Sequence, residues 1–111
     1  GELLEISAAF EPGDAEEISF NVRGAVIAYD TKKQELSVDN HKGPAPLCGG
    51  RQQIVIYVDR TALEVFAGDG LTYMPKPFTP SAENRSVEVT VRGGAVRLTA
   101  LDVYELNSMW E

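Results

Sequence analysis

The sequence contains little cysteine and little histidine, and both shortages restrict the sites it can build. Its 111 residues include one cysteine, Cys48, and one histidine, His41. A single cysteine cannot form an internal disulfide or a thiolate metal cluster. The cysteine content therefore does not indicate whether the protein occupies an oxidising or a reducing compartment. We therefore expect neither a metal nor a cofactor, and the sequence does not determine the localisation.

Positive charge is also scarce. Lys and Arg number 10 against 17 for Asp and Glu, which gives a formal net charge of −7. Affinity for nucleic acid depends on cations that neutralise phosphates, so nucleic acid is not an expected partner. No apolar run approaches the roughly 20 residues of a membrane-spanning helix, so no membrane partner is expected either.

The length and composition are those of one globular unit. Hydrophobic residues make up 43% and charged residues 24% of the 111 positions, close to the globular average. We expect a single domain over residues 1–111. The first residues lack an initiator Met and a basic-then-apolar leader, so we expect the chain to begin inside a larger protein.

Apolar and polar residues alternate along most of the chain, which is the pattern of half-buried β-strands. No window has the spacing of an amphipathic helix. Roughly eight to ten short strands separated by turns predict an all-β fold, a two-sheet antiparallel β-sandwich of the jelly-roll or concanavalin-like lectin type. Gly and Pro punctuate residues 40–50, which are predicted to form one surface loop.

The stretch from Ile54 to Ala67 predicts a hairpin with Arg60 and Thr61 at its tip. In that register one face is entirely apolar and belongs in the core; it comprises Ile54, Ile56, Val58, Leu63, Val65 and Ala67. The other face is mixed and includes Val55, Tyr57, Glu64 and Phe66. We expect something outside this chain to cover the mixed face.

A complete active site is not expected. Asp59, Glu64 and Asp69 lie around the hairpin, and glycoside hydrolysis requires two carboxylates flanking a bond. However, a chain with 17 acids brings some of them together by chance. A small sandwich also offers little material for the walled cleft that shifts catalytic pKa values. His41 lies in a polar stretch and is predicted to be solvated.

Aromatic residues suggest a second kind of site, because sugar rings stack on aromatic faces while polar groups bind their hydroxyls. The candidates for carbohydrate binding are Tyr57, Glu64, Tyr73 and Trp110. The alternative to sugar binding is that these aromatic residues have structural roles, with Trp110 serving as a C-terminal anchor.

One segment carries a family resemblance. It reads Val58-Asp59-Arg60-Thr61-Ala62-Leu63-Glu64-Val65-Phe66-Ala67-Gly68-Asp69-Gly70. It resembles the C-terminal β-sandwich module of glycoside hydrolase family 32, which contains invertases, levanases, inulinases and sucrose-6-phosphate hydrolases. Ala62 and Leu63 depart mildly from the family's Ser and Ile. The similarity extends from about Leu4 to Trp110.

The resemblance implies that catalysis belongs to a preceding five-bladed propeller. There the family places an Asp nucleophile in Asn-Asp-Pro, a transition-state Asp in Arg-Asp-Pro and a Glu acid/base in Glu-Cys. This chain contains no Asp-Pro and no Glu-Cys dipeptide. The resemblance thus implies a non-catalytic module whose parent is a retaining β-fructosidase acting through a fructosyl-enzyme intermediate.

Three hypotheses about function follow. The first is a structural module that packs against the propeller through Val55, Tyr57 and Phe66, with an oligomer contact as a further possibility. The second is a fructan-binding module, and the third is an independent small enzyme. In each case Asp59, Arg60 and Thr61 are interpreted mainly as hairpin residues, because Asp commonly stabilises tight turns through backbone N–H groups.

Overall fold

Ten β-strands make up the part of the chain that the structure describes. The computed structural model describes residues 2–39, 41–59, 62–68, 72–77 and 87–107. These residues form no helix, and their strands are β1 (Glu2–Glu11), β2 (Glu17–Val22), β3 (Ala25–Asp30), β4 (Glu35–Val38), β5 (His41–Pro44), β6 (Gln52–Val58), β7 (Ala62–Ala67), β8 (Thr72–Pro77), β9 (Val87–Arg92) and β10 (Arg97–Asn107). The all-β prediction is confirmed.

The strands form two antiparallel sheets of five. Sheet 1 has the order β10-β1-β6-β7-β8, and sheet 2 has the order β5-β4-β3-β2-β9. Sheet 1 therefore combines the first strand with the last, and β1 lies between β10 and β6. The predicted two-sheet antiparallel sandwich is confirmed.

The core lies between the sheets and follows from the period-two alternation, since successive side chains of a strand point to opposite faces. From β1, Ile6, Ala8 and Phe10 are all buried. Sheet 2 contributes Phe20, Ile27, Tyr29 and Leu36, among others. The rings of Phe10 and Tyr29 meet edge to face across the two sheets, with centroids 6.0 Å apart.

The hairpin of β6 and β7 has the predicted register. Its strands pair Val58 with Leu63, Ile56 with Val65 and Ile54 with Ala67, and all six side chains are buried. The backbone N–H of Asp59 donates to the Ala62 carbonyl at 3.0 Å and closes the turn. Arg60 and Thr61 lie outside the described residues.

The prediction of one loop over residues 40–50 is wrong in part. His41–Pro44 forms β5, which pairs with β4, so His41 lies on an edge strand, although it is exposed as expected. Gly43 and Pro44 disfavour an interior strand but are tolerated at an edge. Farther along, Cys48 and Arg51 form an isolated bridge.

Within the part of the chain that the structure describes, there is no helix of the length and apolar character that a membrane crossing requires.

Candidate functional site

The outer face of sheet 1 carries a cluster of aromatic side chains. We call Val55, Tyr57, Glu64, Phe66 and Tyr73 the aromatic face. Pairing places Tyr57 opposite Glu64 and Val55 opposite Phe66, while Tyr73 lies opposite Phe66 on the next strand. The Phe66 ring meets Tyr57 edge to face at 5.8 Å and stacks on Tyr73 at 4.8 Å. Three adjacent strands thus present one continuous aromatic surface.

Carboxylates border these rings. The Tyr73 hydroxyl donates to Glu64 Oε1 at 3.0 Å. This hydrogen bond to a carboxylate is the main reason why the pKa of Tyr73 lies above its usual value. The pKa of Tyr57 is raised as well, first by desolvation and then by the neighbouring Glu5 carboxylate. Aromatic rings beside carboxylates are chemically suited to a sugar, whose ring stacks while its hydroxyls donate.

The aromatic face is only partly open to solvent, because its rings cover one another. Tyr73 is 49% exposed, whereas Val55, Tyr57, Glu64 and Phe66 are half-buried. The structure therefore brings together Tyr57, Glu64 and Tyr73 from the carbohydrate set, and it places Val55 and Phe66 of the docking set beside them.

Trp110, Arg60 and Thr61 fall outside the described residues. Asp59 is exposed at the end of β6. Glu5 was missed by the sequence interpretation, because only the register of β1 with β6 places it opposite Tyr57.

The outer face of sheet 2 has a different character. Its outward positions are mostly small, polar or charged: Glu17, Ser19, Asn21, Ala28, Asp30, Glu35, Ser37, Glu88, Thr90 and Arg92. Among the described residues of this face, Val26, which lies opposite Asn21, is a large hydrophobic residue that is exposed. The two outer faces are therefore chemically unequal, and the aromatic one belongs to sheet 1.

A second apolar surface lies where β9 and β10 end their sheets, and sequence reasoning missed it. We call Val89, Val91, Leu98, Leu101 and Val103 the open seam. Each lies opposite a buried residue of the neighbouring strand, so each points toward the space between the sheets. Nevertheless each is at least 36% exposed. Alternation identified the apolar side of these strands but could not indicate that the side chains on it stay more than a third exposed.

The described clefts do not provide glycosidase chemistry. One is lined by Ala9, Cys48, Arg51, Gln52, Gln53, Gly68 and Thr99, with no carboxylate among them. Another has Asp14 as its one acid, and Lys32 is also part of its lining. Neither offers the two carboxylates that hydrolysis of a glycosidic bond needs. Among the described residues, no group of three or more His, Cys, Asp or Glu side chains is placed to hold a metal ion.

Comparisons with known proteins agree on one family. A family model described as "Glycosyl hydrolases family 32 C terminal" matches residues 1–105. A levanase of Bacillus subtilis (strain 168) is 29% identical over 133 residues, covering 99% of this chain and 20% of the levanase. An extracellular exo-inulinase of Aspergillus ficuum is 33% identical over 86 residues, covering 72% of this chain and 16% of that protein.

A solved structure agrees with these matches. The crystal structure of the exo-inulinase from Aspergillus awamori superposes with a TM-score of 0.83 at 25% identity, over 99% of this chain and 26% of that one. The chain thus spans about a fifth of the length of such relatives. A sandwich of two five-stranded sheets and a family match over residues 1–105 lead to one conclusion: this chain belongs to the C-terminal domain family of the family 32 glycosyl hydrolases.

Proposed function

We propose that the chain is the non-catalytic C-terminal β-sandwich of a β-fructosidase that acts on sucrose or fructans, and that it packs against and stabilises a preceding catalytic propeller. The observation that carries this proposal is the family match, which fills almost the whole chain but only 20% of a levanase. The fructan substrates are inferred from the names of the relatives, which are a levanase and exo-inulinases. The four-fifths of the levanase that this chain does not match is long enough to contain a propeller domain.

The surface chemistry supports a docking role. The open seam is exposed apolar surface, and the aromatic face is partly exposed; contiguous surface of this kind is typical of interaction sites. The described clefts, with at most one acid each, support a non-catalytic role. Stabilisation would follow from burial of these areas, at roughly 25 cal/mol for each Å² of apolar surface removed from water.

The test compares the full-length polypeptide with a version that ends immediately before Gly1. We expect the shortened enzyme to keep its catalytic carboxylates but to lose thermal stability, because the apolar surface facing this domain becomes exposed. This chain alone should hydrolyse no sucrose, levan or inulin. The proposal fails if the chain alone releases fructose, or if the shortened enzyme matches the full-length one in melting temperature and activity.

A second candidate function is fructan binding on the aromatic face. The stacked Phe66 and Tyr73 rings and the Glu64 carboxylate favour it. Calorimetric titration with levan, inulin and fructose should give heat at millimolar ligand. Tyr73→Ala should weaken binding roughly two- to twelvefold, since one aromatic stacking contact contributes about 0.5–1.5 kcal/mol. Val26→Ala, on the opposite outer face, is the control. Absence of heat from the unmodified chain rejects this candidate.

A further inference from the structure

The open seam exists because, in the part of the chain that the structure describes, the two sheets contact each other at one long edge of the sandwich but do not pair at the edge formed by β9 and β10. At one edge the sheets meet: the Thr72 hydroxyl of β8 donates to the Pro44 carbonyl of β5 at 2.7 Å. Met74 also packs against the core there, with its sulfur beside Gly43. At the other edge, among the described residues, β10 pairs with β1 alone and β9 with β2 alone.

The residues of the seam are apolar and exposed although they point inward. On β10, Leu98 is 44% exposed, Leu101 42% and Val103 49%. On β9, Val89 is 39% and Val91 36% exposed. A register shift between Ala9 and Phe10 allows Leu98 and Leu101 to share this face, because Phe10 pairs with Leu98 while Ala8 pairs with Leu101. The irregularity therefore adds an apolar side chain to the seam.

The strands at the seam are fixed in place at one end. The Ala95 N–H donates to Asp14 Oδ1 at 2.9 Å, and the Glu16 N–H donates to the Arg92 carbonyl at 2.8 Å. These bonds hold the β9–β10 turn against the β1–β2 turn. The seam is thus a defined surface whose one side is an edge strand of 11 residues, long enough to serve as a template for another strand.

We propose that the open seam receives an extended strand from the domain that precedes this one in the same polypeptide. The strand pairs with the edge of β10 that no described strand occupies, and its alternate apolar side chains cover Leu98, Leu101 and Val103. The inference rests on the proposed function, because it requires the preceding domain. It specifies which of the two apolar surfaces meets that domain.

Two observations favour this occupant. The levanase extends over four-fifths of its length beyond the matched part, so much chain is available. Glu2 pairs with Asn107, so the polypeptide preceding Gly1 enters beside the end of β10, one strand from the seam. A second copy is a poorer occupant, since it would bring together two chains of net charge −7.

The experiment uses the full-length protein with Leu101→Lys or Val103→Lys in the seam. Ala100→Lys is the matched control, because it places the same charge on the same strand but on the outer face, opposite Ala9. Hydrogen exchange is followed in peptides from β10 and from the buried strand β6. We expect the seam variants to speed exchange in β10 about tenfold, to leave β6 unchanged, and to separate the domains in limited proteolysis. Ala100→Lys should resemble the unmodified protein.

Other outcomes overturn the proposal in distinguishable ways. If the seam variants behave like Ala100→Lys while Tyr57→Lys separates the domains, the preceding domain docks on the aromatic face: the seam proposal fails and the proposed function stands. If none of these variants affects the domain contact, both fail. Faster exchange in β6 as well would mean that the seam supports only this domain's own core. A fall in oligomeric mass in sedimentation would identify a second copy as the occupant.

Discussion

At the scale of single residues, Asp30 shows how one carboxylate organises a turn. Its Oδ1 accepts the backbone N–H groups of Lys32 and Lys33, each at 3.0 Å. The bond from Lys33 is the main reason why the pKa of Asp30 is lowered in the folded protein. A lowered carboxyl pKa contributes stability that is present above the unfolded value of about 3.9 and is lost as the pH falls through the folded value.

Two substitutions separate the hydrogen bonds of Asp30 from its charge. Asp30→Ala removes both acceptor bonds and should lower the free energy of unfolding by about 1 kcal/mol at pH 7. Asp30→Asn keeps an acceptor but cannot ionise, so its deficit relative to the unmodified protein should shrink between pH 7 and pH 3. Urea unfolding at the two pH values measures both. If the Asn variant were less stable than the unmodified protein by the same amount at both pH values, the Asp30 charge would not contribute to stability.

At the scale of elements, local and non-local pairing differ in how well the sequence predicts them. The β6–β7 hairpin is predictable because a two-residue tip and strict alternation fix its register within 14 residues, Ile54 to Ala67. That register also places Tyr57 and Glu64 on one face, so this part of the candidate site follows from sequence. The strand β5 is not predictable, because His41, Gly43 and Pro44 form a strand only through pairing with β4.

The same hairpin offers a comparison of its two faces. Ile56→Ala should lower the free energy of unfolding by about 2–5 kcal/mol, since Ile56 is fully buried and its truncation leaves a cavity. Val55→Ala, on the adjacent half-buried outer position, should cost less than about 1 kcal/mol. Chemical denaturation of the two variants measures the difference. Equal losses would show that the inner face of β6 is not the core of the sandwich.

At the scale of the whole molecule, the arrangement of the edges decides which apolar surfaces remain open. Val89 and Val91 have the same alternation as the strands of the core, yet β9 ends its sheet and they remain exposed. Their exposure depends on pairings between strands that are far apart in sequence, such as β2 with β9 and β1 with β10. Sequence alternation contains no information about those pairings, so the open seam could not be predicted from it.

The two sheets are also joined by a buried polar link that the sequence does not reveal. The Ala45 carbonyl accepts from the Tyr29 hydroxyl of sheet 2 at 2.8 Å and from Gln52 Nε2 of sheet 1 at 3.1 Å. Gln52 Oε1 in turn accepts the N–H groups of Gln53 at 3.0 Å and Gly68 at 2.9 Å. One side chain, 2% exposed, thereby connects a strand, a loop and the end of β7.

Gln52→Ala should therefore destabilise the whole sandwich, by about 1–3 kcal/mol, because it removes the three hydrogen bonds of the buried amide group and opens a small cavity. The Gly68 N–H would keep its bond to the Gln53 carbonyl at 3.1 Å. Gln53→Ala is the matched control: its side chain is exposed and its backbone bonds survive the change, so the loss should stay within about 0.5 kcal/mol.

Denaturant unfolding followed by tyrosine fluorescence compares the two variants. Since Gln52 connects both sheets, its variant should lower the midpoint while the transition remains a single step. Equal midpoints for the two variants would mean that packing alone joins the sheets, whereas a transition split into two steps would mean that the sheets unfold separately.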